Sequence, residues 1–129
     1  MQATALGMAS VAQTIANDGV RLKPVLVKGQ KAQSVRVTSR RVARKVRNLM
    51  IGVVSFGTGT SAAISGVKVA GKTGTAELGG GLKEDAWFVA FAPARRPKLA
   101  VGVLAVQAGF GGDVAAPIAK AILEPALKR

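Results

Sequence analysis

Residues 70–76 read Ala-Gly-Lys-Thr-Gly-Thr-Ala, and they are the most informative stretch of this chain. The residues just before them, Val67-Lys68-Val69, favour extended backbone, and the glycines at 79–81 would interrupt a helix. The Thr-Gly-Thr alternation predicts a strand that holds both threonines on one face. Gly74 would allow a ligand to approach that strand closely. We therefore expect a strand over Val67–Glu77 that carries a cation beside two hydroxyl groups.

The same region matches two nucleotide-binding patterns in form only. Gly66–Thr73 fits the phosphate-binding loop G-x-x-x-x-G-K-[ST], but that loop must lead directly into a helix, and Gly74–Gly81 cannot sustain one. Gly57–Ala62 fits the dinucleotide pattern G-x-G-x-x-A, yet a predicted helix precedes it where that pattern needs a strand. Nucleotide binding therefore remains only an alternative interpretation, and we expect no cofactor.

Two helices are predicted in the first half of the chain. Thr4 would cap the first, and Gly19 would end it in the left-handed C′ position. Thr38 or Ser39 would begin the second, in which Arg and Lys cover the surface outside an apolar stripe. The apolar positions are Met8, Val11, Ala12 and Ile15 in the first helix, and Val42, Val46, Leu49, Met50 and Val53 in the second.

Strands are predicted in the remaining segments. Val20–Lys28 alternates like a half-buried strand, which Pro24 confines to an edge or splits. Ala86–Ala92 and Lys98–Gln107 follow the Lys-Thr-Gly strand, and the short Gly- and Pro-containing links favour antiparallel pairing. Asp113 would cap a closing helix. The expected fold class is α+β, an antiparallel β-sheet with helices on its faces.

Composition excludes several classes of site. The chain has 129 residues with no cysteine and no histidine, which excludes disulfides, thiolate or imidazole metal ligands and a Ser-His-Asp triad. We expect no metal site. The formal net charge of +13 suits an anionic partner, such as nucleic acid, an envelope polymer or a phospholipid surface, and it is equally explained by solubility or by a compositional bias. The basic segment Arg40–Arg47 is expected to be a solvated helix face or a contact with that partner.

Three segments, in this order along the chain, resemble penicillin-binding proteins, especially the monofunctional, class B kind. Ala3–Gly19, followed by Lys23-Pro24, resembles the helix after the active-site serines. Gly57–Thr60 together with Val67–Glu77 resembles the run that ends in the K-T-G-T box. Asp85–Pro93 resembles the strand that follows. The resemblance implies the α+β fold shared by penicillin-binding transpeptidases and β-lactamases.

The other two motifs of that family are missing. S-x-N occurs nowhere in the sequence, and Ser65–Lys68 has S-x-x-K spacing but precedes a predicted strand, whereas the family's box opens a helix. We interpret that match as chance. The resemblance then implies that residues 1–129 are the C-terminal portion of one transpeptidase domain, truncated at an internal Met and incomplete in fold. The chain alone is expected to be inactive, and its first partner would be the missing N-terminal part.

The resemblance also implies a function. The complete enzyme would be a D,D-transpeptidase that cross-links peptidoglycan stem peptides by serine acylation in cell-wall synthesis and cell division, and β-lactams would block it. It would be extracytoplasmic, tethered to the membrane through a segment absent from this chain, with no nucleic-acid partner. A non-catalytic binding or assembly module is the main alternative.

Roles for individual residues follow from the resemblance as well. Lys72 would help to position the substrate carboxylate and the proton relay. Thr73 and Thr75 would bind that carboxylate, and Gly74 would let the substrate approach. The backbone N–H of Thr75 would donate to the oxyanion of the tetrahedral intermediate.

Overall fold

The computed structural model of the chain describes residues 3–77 and 79–128. Within these residues, a helix and a small hairpin precede a second helix, a three-stranded sheet and a closing helix. The elements are α1 (Ala5–Ala16), β1 (Val20–Leu22), β2 (Ser34–Arg36), α2 (Arg40–Ser55), a 3₁₀ turn (Thr60–Ala62), β3 (Ala70–Ala76), β4 (Asp85–Ala92), β5 (Leu99–Ala105) and α3 (Ala115–Leu127). None of the helices in this part of the chain is long and apolar enough to cross a membrane.

The sheet has the strand order β3-β4-β5, with both pairs antiparallel. Alternating residues of the central strand β4 supply two cores. Phe88 packs with Ala119 and Leu123 of α3 on one face. Val89 and Phe91 pack with residues of α1 and α2 on the other. The predicted α+β fold, an antiparallel sheet with helices on its faces, is therefore confirmed.

Both predicted helix starts are confirmed by their capping bonds. The Thr4 hydroxyl accepts from the Gly7 N–H at 3.0 Å, and the Ser39 hydroxyl accepts from the Val42 N–H at 3.2 Å. These bonds satisfy amide groups that have no partner inside the helix.

The end of α1 differs from the prediction by one residue. Asp18 (φ 51°) occupies the left-handed C′ position, and Gly19 (φ 89°) follows it. The Gly19 N–H donates to the Thr14 carbonyl, as in a Schellman cap. Glycine is required at position 19 because a Cβ there would collide with the Thr38 carbonyl. The close approach of the Thr38 carbonyl, which the sequence does not reveal, therefore determines that position 19 is glycine.

Three predicted boundaries are wrong. The strand expected over Val67–Glu77 begins only at Ala70. The strand expected over Val20–Lys28 ends at Leu22, ahead of Pro24, and it pairs with β2, which was not predicted. Asp113 does not cap α3. Its backbone N–H donates to the Phe110 carbonyl in a turn, and Val114 occupies the cap position without a side-chain bond.

The buried face of α2 is rotated from the predicted stripe. The helix buries Ala43, Met50 and Val54, whereas Val42 and Leu49 are exposed. Ala43 is not part of the predicted apolar stripe, because a small side chain is a weak signal of burial. Leu49 lines an apolar groove between α1 and α2.

Candidate active site

Lys72 lies on β3, which is an edge strand of the sheet in the described residues. Its side chain is on the face that α1 and α2 cover. Its Nζ donates to the Thr73 carbonyl at 2.7 Å and lies 3.4 Å from Thr73 Oγ1. The ammonium group is therefore held at the outer edge of the strand.

Thr73 and Thr75 lie two residues apart on the opposite face of β3. Thr73 is opposite Phe88 of β4, and Thr75 is opposite Ala86. Because the Thr73 carbonyl accepts a bond from Lys72 at the open edge, and residues two apart share their backbone direction, we infer that the Thr75 amide also faces that edge. The Lys72 ammonium and the Thr73 hydroxyl therefore meet at the open edge of β3, and Thr75 follows two residues further along the same strand.

Thr58 contributes a contact to which the sequence assigned no role. Its Oγ1 lies 2.8 Å from Thr73 Oγ1, and either oxygen can donate. The loop that carries Thr58 lies close to the sheet because of Gly59, whose Cβ would be 3.0 Å from the Phe88 ring. The only sequence signal for this contact was the Gly-Thr-Gly pattern at 57–59, in which glycine permits close packing.

Gly74 is approached closely by the chain itself. A Cβ on Gly111, in the loop between β5 and α3, would collide with the backbone of Gly74 and Trp87. A Cβ on Gly112 would collide with the Thr58 carbonyl. The β5–α3 loop therefore lies across one end of the Lys-Thr-Gly segment. The predicted role of Gly74 in substrate approach stays a prediction.

Two hydrogen bonds hold the β5–α3 loop in place. The Gln107 N–H donates to Asp85 Oδ1 at 2.8 Å, and the Gly109 N–H donates to the Glu84 carbonyl at 3.0 Å. The loop is thus anchored to the segment that enters β4. This anchoring positions Phe110, which is exposed, beside the close contact made by Gly111.

A groove of about 470 Å³ runs between α1 and α2 and reaches Lys72. Leu49, at its rim, is 72% exposed. Apart from Lys72 its lining is entirely apolar: Met8, Val11, Ala12, Ile15, Val46, Leu49, Met50, Val53 and Val89. The groove therefore presents an unpartnered hydrophobic surface beside the Lys72 ammonium.

The remaining sequence motifs lack the structure that their chemistry needs. Ser65 and Lys68 are exposed around a turn that contains Gly66 (φ 72°), with no helix and no hydrogen bond between them. Lys72 and Thr73 lie inside a strand, so the phosphate-loop interpretation of Gly66–Thr73 is wrong. The Gly57–Ala62 pattern follows α2 directly, so the element immediately before it is a helix and not the strand that a dinucleotide-binding motif needs.

Comparison with known proteins identifies the family. Residues 1–124 match the model of the penicillin-binding protein transpeptidase domain. The chain is 39% identical over 145 residues to the peptidoglycan D,D-transpeptidase PbpA of Mycobacterium tuberculosis, covering 97% of this chain and 29% of that protein. It is 36% identical over 135 residues to the probable peptidoglycan D,D-transpeptidase PenA of Neisseria meningitidis, covering 95% and 23%.

Solved structures agree with this match. Penicillin-binding protein A of M. tuberculosis, in its ceftriaxone acyl-enzyme complex, superposes with a TM-score of 0.89 at 38% identity, covering 96% of this chain and 32% of that one. The D,D-transpeptidase domain of an Eggerthella lenta peptidoglycan glycosyltransferase gives 0.86 at 37% identity, covering 98% and 32%. The chain thus spans about a third or less of the length of these relatives. The resemblance to the C-terminal part of a class B transpeptidase domain is confirmed, and the chain belongs to the penicillin-binding protein transpeptidase family.

Proposed function

We propose that this chain supplies the substrate-binding and oxyanion-binding strand of a peptidoglycan D,D-transpeptidase. The observation that carries the proposal is the grouping of Lys72, Thr73 and Thr75 at the open edge of β3 in a chain of this family. An edge strand with a fixed cation and hydroxyl groups suits an extended peptide that ends in a carboxylate.

Each group would have a separate task in acyl transfer. A serine Oγ attacks the carbonyl carbon of the scissile peptide bond, its proton passes to a base, and the carbonyl oxygen becomes an oxyanion. The Thr75 N–H would donate to that oxyanion. The Thr73 and Thr75 hydroxyls would hold the substrate carboxylate, and the Lys72 ammonium would lower the energy of both negative charges. The intermediate then collapses to an acyl-serine and expels the leaving amine.

The attacking serine would come from a part of the domain that lies outside these 129 residues. The relatives are about three times as long or longer, and the apolar groove between α1 and α2 offers a surface for such a part. Because Lys72 lines this groove, an element packed there would be close to the Lys72 ammonium. We therefore propose that residues 1–129 act as one portion of a transpeptidase domain, with peptidoglycan stem peptide as substrate and β-lactams as inhibitors.

The relatives are cell-wall synthesis enzymes, so we propose an extracytoplasmic location for this chain as well. A membrane tether for the complete protein is part of the same proposal. The location and the tether are both inferred from the relatives, and not from the geometry of β3.

Complementation with penicillin labelling tests the proposed function. The chain alone is expected to form no covalent adduct with penicillin in mass spectrometry, because it has no activated serine. Joined to the N-terminal portion of the PbpA transpeptidase domain, it should acquire labelling by fluorescent penicillin. The C-terminal portion of PbpA joined in the same way is the positive control.

Two outcomes would contradict the proposal. An adduct on the isolated chain, at Ser65 or any other serine, would show that the nucleophile is present after all. An unlabelled hybrid beside a labelled PbpA control would show that this β3 edge does not complete a transpeptidase site.

A further inference from the structure

The loop between β1 and β2 projects apolar side chains into solvent. We call residues 23–33 the hairpin loop. The Lys23 N–H donates to the Gln33 carbonyl at 2.8 Å, which closes the base of this loop. At its tip Leu26 is 96% exposed and Val27 is 68% exposed, and neither belongs to a hydrophobic core of the described residues. The tip of the hairpin loop therefore presents two adjacent apolar side chains to solvent.

Lysines frame this apolar tip. The Gln30 N–H donates to the Val27 carbonyl at 3.2 Å, and Gly29 (φ 88°) reverses the chain. Lys28 and Lys31 are therefore close to the tip along the reversed chain. The sequence has no Asp or Glu from residue 19 through residue 76. Among the described residues, none of the loop's lysines forms an ion pair.

The arginines of α2 are a weaker candidate for an anionic partner. Arg40, Arg44 and Arg47 all approach the Asp18 carboxylate, at 3.4, 3.7 and 2.8 Å. Part of their charge is therefore compensated within the fold. In the hairpin loop, by contrast, none of the lysines has a carboxylate partner among the described residues, and they flank two adjacent exposed apolar side chains.

We propose that the hairpin loop contacts an anionic phospholipid surface, with Leu26 and Val27 inserted at the boundary of the acyl chains. Apolar side chains gain free energy there, while flanking ammonium groups bind negatively charged headgroups. A soluble polyanion would attract Lys28 and Lys31 but gain nothing from Leu26. A bilayer uses both features, and its negative charge complements a loop without acidic residues.

Vesicle binding by the full 129-residue chain tests this proposal. In a flotation gradient the chain should rise with phosphatidylcholine vesicles that contain phosphatidylglycerol, and not with pure phosphatidylcholine vesicles. Chain that has aggregated without lipid stays at the bottom of the gradient and is not counted as bound. Raising salt from about 0.1 M to about 1 M should weaken binding, because the screening length falls from about 10 Å to about 3 Å. The double variants Leu26→Ser/Val27→Ser and Lys28→Glu/Lys31→Glu should each lower the partition coefficient by about tenfold or more.

Matched variants outside the loop distinguish vesicle binding through the hairpin loop from nonspecific hydrophobic adsorption and from an effect of net charge. Leu49→Ser removes another exposed leucine, and Lys68→Glu/Lys83→Glu makes the same charge change at exposed lysines outside the loop. Both should keep the partition coefficient within about threefold of the parent chain, because the substituted residues do not belong to the hairpin loop. Equal losses in the controls and the loop variants would overturn the proposal.

Three other results would also overturn it. The first is equal binding to neutral and anionic vesicles. The second is a loss in Lys28→Glu/Lys31→Glu with none in Leu26→Ser/Val27→Ser, which would indicate a soluble polyanion as the partner. The third is an unchanged indole emission of Leu26→Trp. After subtraction of the Trp87 signal, this emission should shift to shorter wavelength on vesicles with phosphatidylglycerol. An unshifted spectrum would mean that the tip stays in water.

Discussion

At the scale of single residues, Lys72 would act through its side chain, whereas Thr75 would act on the oxyanion through its backbone N–H. In the completed domain, Lys72→Ala should lower the rate of acylation by penicillin by about a hundredfold or more, the scale of losing one preorganised electrostatic contact. Thr75→Ala should have a smaller effect because the N–H that faces the open edge survives the change. Stopped-flow or gel measurement of fluorescent penicillin labelling gives both rates.

Lys68→Ala is the matched control for that prediction, since Lys68 is exposed just before β3. It should leave the acylation rate unchanged. Equally mild effects of Lys72→Ala and Thr75→Ala would mean that the edge of β3 does not face the reacting carbonyl.

The residues of this site differ in how far sequence could reveal them. Lys72, Thr73 and Thr75 were found because alternation along a strand predicts their faces and the K-T-G-T box is short and local. Thr58 was assigned no role, because its contact with Thr73 joins two segments that only the folded chain brings together. Gly111 was missed for the same reason.

At the scale of elements, one ion-pair cluster joins α1 to α2. Arg47 Nη2 donates to Asp18 Oδ1 at 2.8 Å and to the Ala16 carbonyl at 3.0 Å. Asp18→Asn keeps a residue that tolerates the left-handed conformation but removes the counter-charge. We expect the free energy of unfolding to fall by about 1–3 kcal/mol, because a half-buried guanidinium loses a charge-assisted bond. Urea denaturation followed by circular dichroism measures this.

Arg40→Gln is the control for that cluster. Its side chain is 65% exposed, so its removal should change the free energy of unfolding by less than about 0.5 kcal/mol. Equal losses for Asp18→Asn and Arg40→Gln would mean that general surface charge, and not the Arg47 contact, stabilises the junction.

The β5–α3 loop gives a steric prediction at the same scale. Gly111→Ala would place a methyl group against the backbone of Gly74 and Trp87. Backbone cannot move aside as a flexible side chain can, so we expect a loss of about 1–3 kcal/mol in stability and a weakened site in the completed domain. Gly52→Ala is the control, because Gly52, like Gly111, is not among the glycines with positive φ, and its Cβ would meet only the exposed side chain of Phe56, which can move aside. An equal or smaller loss at Gly111 would contradict the packing described here.

Elements were predictable from sequence where local signals agreed. The Lys-Thr-Gly strand follows from alternation, the next two strands from short apolar runs bounded by Gly- and Pro-containing links, and both capped helix starts from Thr4 and Ser39. β2 has only three residues, and pairing with β1 is what defines it, so no local pattern could predict it. Asp113 had the right residue type for a helix cap, but the turn bonded to Phe110 placed it one residue too early.

At the scale of the whole molecule, the arrangement of strands and helices leaves unpaired surfaces. β5 pairs with β4 only, and the described residues provide no strand on its other side. Its residues Leu99–Ala105 carry no charge. The apolar groove between α1 and α2 is open as well. Open strand edges and hydrophobic grooves both favour association with other chains.

Net charge opposes that association, so salt should decide the outcome. Repulsion among molecules of charge +13 keeps them apart when screening is weak. Added salt shortens the screening length to about 10 Å at 0.1 M and about 3 Å at 1 M, while the attraction between strand edges and between apolar surfaces is not weakened. We therefore expect the isolated chain to form oligomers or precipitate, and to do so more as salt rises.

Sedimentation velocity at low and high salt measures this association directly. A variant with Ala100→Lys in β5 is the control, because Ala100 is exposed and a charge on an open strand discourages edge pairing. It should remain smaller than the parent chain at high salt. A compact monomer at both salt concentrations, with a single cooperative thermal transition, would contradict the prediction. It would show that β5 and the groove need no covering, and it would favour an independent binding module over one portion of a transpeptidase domain.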